Sequence, residues 1–221
     1  CGIGLEPGDV VGIQLPNTIE FIIAYLAIGR IGAVTTTLYL PHREAEFRQL
    51  LGHARARAVI VGASLGGFSP AGAALSLRDE LDDLEHVVVV GGEDVPQPGA
   101  LSFEALIGAA EPIPAEVGPV ASDPFLLLYT SGTTSAPKAV PLSYQNMLSN
   151  ARLSAPEHEL GPDDRILSVP PFGHLYALYS VHLALCVGAP MVLLPVFSPP
   201  ALIETLAEKQ PTAVFAAPAH M

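Results

Sequence analysis

The residues best equipped for chemistry stand together in "YTSGTTSAPKAV", from Tyr129 to Val140. An apolar run, "PFLLLY", leads directly into Thr130, Ser131, Gly132, Thr133, Thr134 and Ser135, and the lone cation Lys138 follows Pro137. Hydroxyls and successive backbone amides can form an anion-binding concavity, and a lysine adds a movable point charge. Gly132 lets the backbone turn and come close to a ligand. Such a set suits the outer phosphates of a nucleotide. A polar turn that binds nothing would have the same composition, because Ser, Thr and Gly are common turn residues. A Walker-type phosphate loop fails on spacing. It needs a second glycine after four residues, then Lys and Ser/Thr, whereas Pro137 takes that glycine's place and Ala139 follows the lysine.

A second candidate segment is "VPPFGHLYAL", Val169 to Leu178. His174 follows a strand-like run, where a binding group is well placed, although a lone histidine has no catalytic role by itself and could simply start a helix. His42, His53, His86, His158, His182 and His220 lack the Cys/Asp/Glu spacing of a metal site, and "HREAE" (42–46) lacks the second histidine of a zinc helix, so no metal ligands are assigned. "PEHE" (156–159) reads as a solvated turn, and the acidic run "RDELDDLE" (78–85) as a solvated helix face. Cys186 lies on an apolar helix and is expected to be buried.

The elements that must position these groups alternate along the chain. Strand-like "DVVGIQLP" precedes a helical pattern from Asn17, which reads as its cap. "AVTTTLYL", the amphipathic "PHREAEFRQLLGHA" and the buried strand "ARAVIVG" follow, then an irregular stretch and "EHVVVVGG". After the short helix "SFEALIGA", the second half reads as "PFLLLY", the hydroxyl loop, helix "LSYQNMLSNARLSA", strand "RILSVP" and helix "HLYALYSVHLALCVG". Strand "APMVLLP", helix "SPPALIETLAEKQ" and strand "TAVFAAP" complete it. The expected fold is α/β: layered, largely parallel β-sheets flanked by helices, with a first unit over 1–115 and a second, carrying the phosphate loop, over 120–221. In such sheets ligands collect at the carboxyl ends of the strands, which is where the hydroxyl loop falls.

Bulk composition narrows the partners. The 221 residues are 50% hydrophobic and carry a net charge of −12, so a general nucleic-acid or anionic-membrane binder, which needs a basic face, is excluded. Two cysteines form no disulfide framework and imply a reduced, cytoplasmic setting. No apolar run reaches the ~18 residues of a membrane span. The start at Cys1, running at once into "LEPGDVVGIQLPN", reads like the middle of a fold. Composition leaves oligomeric state open.

"YTSGTTSAPKAV" resembles the phosphate-loop signature of the acyl-adenylate-forming (AMP-binding) enzymes, which include acyl- and aryl-CoA synthetases, luciferases and peptide-synthetase adenylation domains. It differs at two fixed positions, where Ser135 and Ala139 replace glycine. "LEPGDVVGIQLPNTIEFIIAYLAIGRIGAV" and "PTAVFAAPAHM" resemble other family segments, so the likeness spans the chain. It implies that Thr130, Ser131, Gly132, Thr133, Thr134 and Lys138 hold the β- and γ-phosphates of ATP with Mg²⁺. "FGHLYAL" resembles the family's acyl-pocket segment with Gly173 as an extra residue. That likeness puts His174 beside the carboxylate of a carboxylic acid substrate, as the catalytic candidate, and Tyr176 in the pocket wall. Coenzyme A or a carrier thiol would accept the acyl group. If Ser135 sits where positive φ is required, the loop carries about 1 kcal/mol or more of strain and its activity is impaired or retuned. The family's later adenine and ribose motifs and its carboxy-terminal domain are missing, which implies a piece of the amino-terminal domain, inactive alone. A peptide-synthetase-type adenylation domain and a non-catalytic nucleotide-binding or scaffold relative are the alternatives.

Overall fold

A computed structural model describes residues 2–91, 98–112, 118–130 and 138–220. The first half alternates strictly: β1 (Val10–Gln14), α1 (Ile19–Arg30), β2 (Val34–Thr37), α2 (Glu44–Ala54), β3 (Ala56–Gly62), α3 (Pro70–Arg78) and β4 (His86–Val90). Then come β5 (Leu101–Ser102), α4 (Phe103–Gly108), β6 (Pro124–Thr130), β7 (Lys138–Ser143) and α5 (Tyr144–Glu157). The chain continues through β8 (Ile166–Ser168), α6 (Leu175–Val187), β9 (Met191–Val192), α7 (Pro199–Lys209) and β10 (Ala213–Phe215).

These strands make two sheets. Seven lie in the order β5-β4-β3-β1-β2-β6-β7, parallel except for the antiparallel β6–β7 pair, and three in the parallel order β10-β8-β9. The sheets part after Ser143 rather than near residues 115–120, because β6 and β7 extend the first sheet beyond β2. One face of the large sheet is covered by α2 and α3 through Phe47, Leu51, Ala74 and Leu77. The other face packs on α1, α5 and α6 through Phe21, Tyr25, Met147 and Leu178. Further along α6, Leu183 and Ala184 pack with Ile166 of β8, and α7 covers the small sheet's outer side at Leu167 and Leu194. The result is the expected layered α/β architecture, with one helical layer between two sheets. No helix among the described residues is long and apolar enough to cross a membrane.

The helices facing the core follow from spacing. In α1 the buried positions Phe21, Ala24, Tyr25 and Ile28 recur at the interval that builds one apolar stripe. Gly29 completes it, because a Cβ there would run into Cε2 of Phe125. Gly29→Ala is therefore expected to destabilise the chain by about 1–3 kcal/mol, the usual range for an overpacked core, read as a lower urea midpoint at unchanged slope.

Several local expectations are corrected. α3 occupies the stretch read as irregular: Ser69 accepts a hydrogen bond from the Gly72 amide at 3.0 Å, Pro70 opens the helix, and its buried side is mostly alanine, which gives little periodic signal. The acidic run is not a helix face, since α3 ends at Arg78. Its charges pair sideways instead, Glu80 with Arg48 at 2.7 Å and Asp83 with Arg55 at 3.1 Å. β7 is an additional strand between the hydroxyl loop and the helix; it lies at a sheet edge, where the missing N–H of Pro141 is tolerated. α5 runs through Pro156 to Glu157, so half of "PEHE" is helical and the exposed His158 and Glu159 form the turn, His158 bonding the Tyr179 hydroxyl at 2.8 Å. Cys186 is exposed, because the inward face of α6 is taken by Ala177, Leu178, Val181 and Ala184.

Candidate functional site

β6 carries the hydroxyl segment to the carboxyl end of the large sheet. Its root is held by Phe125 and Leu126, both buried, and by β2, whose Thr36 hydroxyl donates to the Leu127 carbonyl at 3.0 Å. Near its end the Tyr129 hydroxyl donates to the Leu50 carbonyl at 3.3 Å and bonds His53 Nδ1 at 2.9 Å, tying the strand to α2. Partial burial raises the Tyr129 pKa, which keeps that hydroxyl a donor at neutral pH. Thr130 and Lys138 then face each other across the β6–β7 ladder, both exposed. Directly opposed residues of an antiparallel pair point to the same side, so hydroxyl and cation leave the sheet together at the mouth of the connecting loop. Ser131, Gly132, Thr133, Thr134 and Ser135, on which the phosphate-loop reading also depends, lie outside the described residues.

The second segment is anchored from three directions. Phe172 is buried against Phe21, with ring centroids 5.3 Å apart. Asn17, expected as the cap of α1, has a different task. Thr18 takes the capping position without a side-chain bond, while Asn17 Nδ2 donates to the Pro170 carbonyl at 2.8 Å and Oδ1 accepts from the Phe172 amide at 2.6 Å. The Thr37 hydroxyl donates to the Gly173 carbonyl at 2.7 Å. Gly173 itself sits against Tyr39, with room for a Cβ only at 3.0 Å from Cδ1. The extra residue in "FGH" thus has a packing reason.

This clamp fixes His174. It starts α6 as its N-cap, Nδ1 accepting from the Tyr176 amide at 3.2 Å, and its exposed ring stacks 6.4 Å from Tyr39. With Nδ1 engaged as acceptor, the neutral imidazole carries its proton on Nε2, a donor for an oxyanion. His174 is therefore both the helix-start residue and a lining residue of a cavity of about 620 Å³, together with Tyr176, Tyr179, Leu142, Asn146 and Asn150. Tyr176 stacks on Tyr179 at 6.3 Å, and both meet the ring of Phe215 edge-on.

Thr36 and Thr37, consecutive on β2, join the two segments, one bonding β6 and the other the His174 loop. Gln14 links the neighbouring strand ends, donating from Nε2 to the carbonyls of Tyr39 and His42 at 2.7 and 3.1 Å. The sequence marks Asn17 only as a helix cap and does not single out Thr37, Tyr39, Tyr179, Asn146 and Asn150. Spacing offered a signal for some of them: Tyr179 falls three residues after Tyr176, and Asn146 and Asn150 share a helix face. Removing the clamp strands two buried backbone groups, so Asn17→Ala is expected to lose about 2–4 kcal/mol of stability in chemical denaturation.

The chain is 30% identical over 215 residues to the medium-chain fatty-acid–CoA ligase of Escherichia coli (strain K12), covering 97% of this chain and 38% of that enzyme. It is 34% identical over 208 residues to the salicyl-AMP ligase / salicyl-S-ArCP synthetase of Mycobacterium tuberculosis (strain ATCC 25618 / H37Rv), covering 93% and 36%. The crystal structure of the anthranilate CoA ligase AuaEII in complex with anthranoyl-AMP superposes with a TM-score of 0.89 at 26% identity, over 99% of this chain and 42% of that one. The chain thus spans roughly two fifths of these proteins. The family model of the AMP-binding enzymes matches residues 2–221, and the chain belongs to that family.

Proposed function

We propose that the chain is the phosphate-holding and acid-positioning part of an ATP-dependent ligase that activates a carboxylic acid as its acyl-adenylate and passes the acyl group to coenzyme A. The observation that supports this most directly is the pair of adjacent β2 threonines holding the Thr130/Lys138 hairpin and the His174 cavity at one end of one sheet. A carboxylate and a triphosphate repel each other, so the reaction needs their charges screened and their atoms aligned. Lys138 and Thr130 supply cation and hydroxyl for the outer phosphates, with Ser131, Gly132, Thr133 and Thr134 between them in sequence. The Nε2–H of His174 donates to one carboxylate oxygen, leaving the other to attack the α-phosphorus as the bond to pyrophosphate breaks. Tyr176 and Tyr179 give the acid's body an aromatic wall, which favours an apolar or aromatic acid. Mg²⁺ prefers phosphate oxygens and water, so it enters on the triphosphate.

The test is carboxylate-dependent exchange of labelled pyrophosphate into ATP by the complete protein. Exchange that appears only with an acid supports the reading; nucleotide binding without exchange across a broad panel of acids replaces it with a non-catalytic nucleotide binder. The identity with the salicyl-S-ArCP synthetase gives a second acceptor a specific basis. Acyl transfer to a phosphopantetheinyl carrier protein, but not to coenzyme A, would decide for the carrier thiol.

A further inference from the structure

The helical layer holds another cavity, of about 820 Å³, between α1, α5 and α6. That volume lies within the range of about 300–1,000 Å³ usual for small-ligand sites. It lies at the other end of the sheet from the hairpin. Phe125, near the start of β6, lines it, five residues before Thr130, or roughly 17 Å along a strand. Each helix contributes an exposed leucine to the walls: Leu26 from α1, Leu148 from α5 and Leu185 from α6.

Its polar groups are few. Of the described residues that line the cleft, Arg30 and Arg152 carry the charge and none is a carboxylate. Arg152 is exposed and forms no ion pair among the described residues. At the floor, His182 is only 6% exposed; its Nε2 bonds the buried Tyr25 hydroxyl at 2.9 Å, and among the described residues none bonds its Nδ1. The cleft thus combines three leucines, an exposed guanidinium without an ion-pair partner among the described residues, and an imidazole lining it.

We propose that this cleft is a second ligand site, separate from the hairpin and taking a straight-chain alkyl carboxylate. The carboxylate pairs with Arg152, whose guanidinium fork matches it in two-point geometry. The chain lies along the three leucines, with His182 Nδ1 the remaining polar contact. A triphosphate is a poor fit, because the leucine walls offer it no donors.

Cys186 makes the cleft directly observable, since it is exposed and lines the same cavity. In the complete protein, with every other cysteine, Cys1 included, replaced by serine, it is the one thiol followed. Its alkylation by iodoacetamide is to be timed with decanoate, decanol or decylamine, below micelle formation and without nucleotide. Decanoate is expected to slow alkylation saturably, by about tenfold at roughly ten times its dissociation constant. Decanol should protect weakly and decylamine not at all. Arg152→Glu should abolish protection by decanoate, each rate being referred to the same protein without ligand. Equal protection by all three amphiphiles, no protection by decanoate, or protection that survives Arg152→Glu would overturn the proposal. None of these outcomes depends on adenylate formation, so the two readings fail separately.

Discussion

Lys138→Ala is expected to lower acid-dependent adenylate formation by the complete protein about 10²–10³-fold, the usual effect of removing one preorganised group that stabilises developing charge. The charge that grows as the α-phosphorus bond breaks sits on the departing pyrophosphate, and Lys138 stands at the mouth of the loop that would hold it. Its side chain is exposed and its structural duty is confined to the backbone ladder opposite Thr130, which alanine preserves. Stability should therefore stay within about 0.5 kcal/mol of the parent, as for an ordinary surface substitution. Lys138→Arg should recover only part of the rate, because a rigid fork does not replace a compact, rotatable ammonium. Pyrophosphate exchange and urea denaturation measured on the same preparations separate lost chemistry from lost folding. Full exchange in Lys138→Ala would remove the hairpin from the reaction.

A second large effect is expected on acidification. His182 is buried between the edge-on rings of Tyr25 and Phe125, each centroid 5.7 Å away, and burial lowers its pKa from 6.5 to about 4. The unfolded chain takes up this proton near pH 6.5 and the folded one only near 4, so the unfolded state binds more protons throughout that window. The stability associated with neutral His182 is complete above that range and is lost as pH falls to about 4, amounting to about 3 kcal/mol. His182→Gln keeps a hydrogen-bonding partner for the Tyr25 hydroxyl, itself held protonated by burial and by nearby Tyr144, but cannot titrate. Urea midpoints followed from neutral pH to about 4 should fall less steeply for the variant, by most of that amount. Parallel curves would place the acid sensitivity elsewhere, in exposed carboxylates such as Glu80 and Asp83, whose arginine partners lower their pKa values.

Strand–helix alternation, the buried strand Ala56–Gly62 and the apolar stripe of α1 are written in local residue order, because burial periodicity and propensity act over a few neighbours. The hairpin's hydroxyls and lysine are legible for the same reason: they are contiguous. His174 and Tyr176 could be singled out as a pair, but not their setting. The clamp from Asn17 spans 153 residues of sequence, and the Thr37 bond to Gly173 spans 136. No local pattern announces either, so Asn17 read as a helix cap. Likewise β7, with Pro141, finds its place only at the sheet edge that β6 offers. The acidic run reads as a helix face until Arg48 and Arg55 meet it from other elements. Local order determined most of the elements, α3 and β7 excepted, and marked the residues that could do chemistry. Which of them share one end of the sheet, and which of α6's residues face the α1–α5 cleft, was decided by packing, because burial and hydrogen-bond partners exist only once distant segments meet.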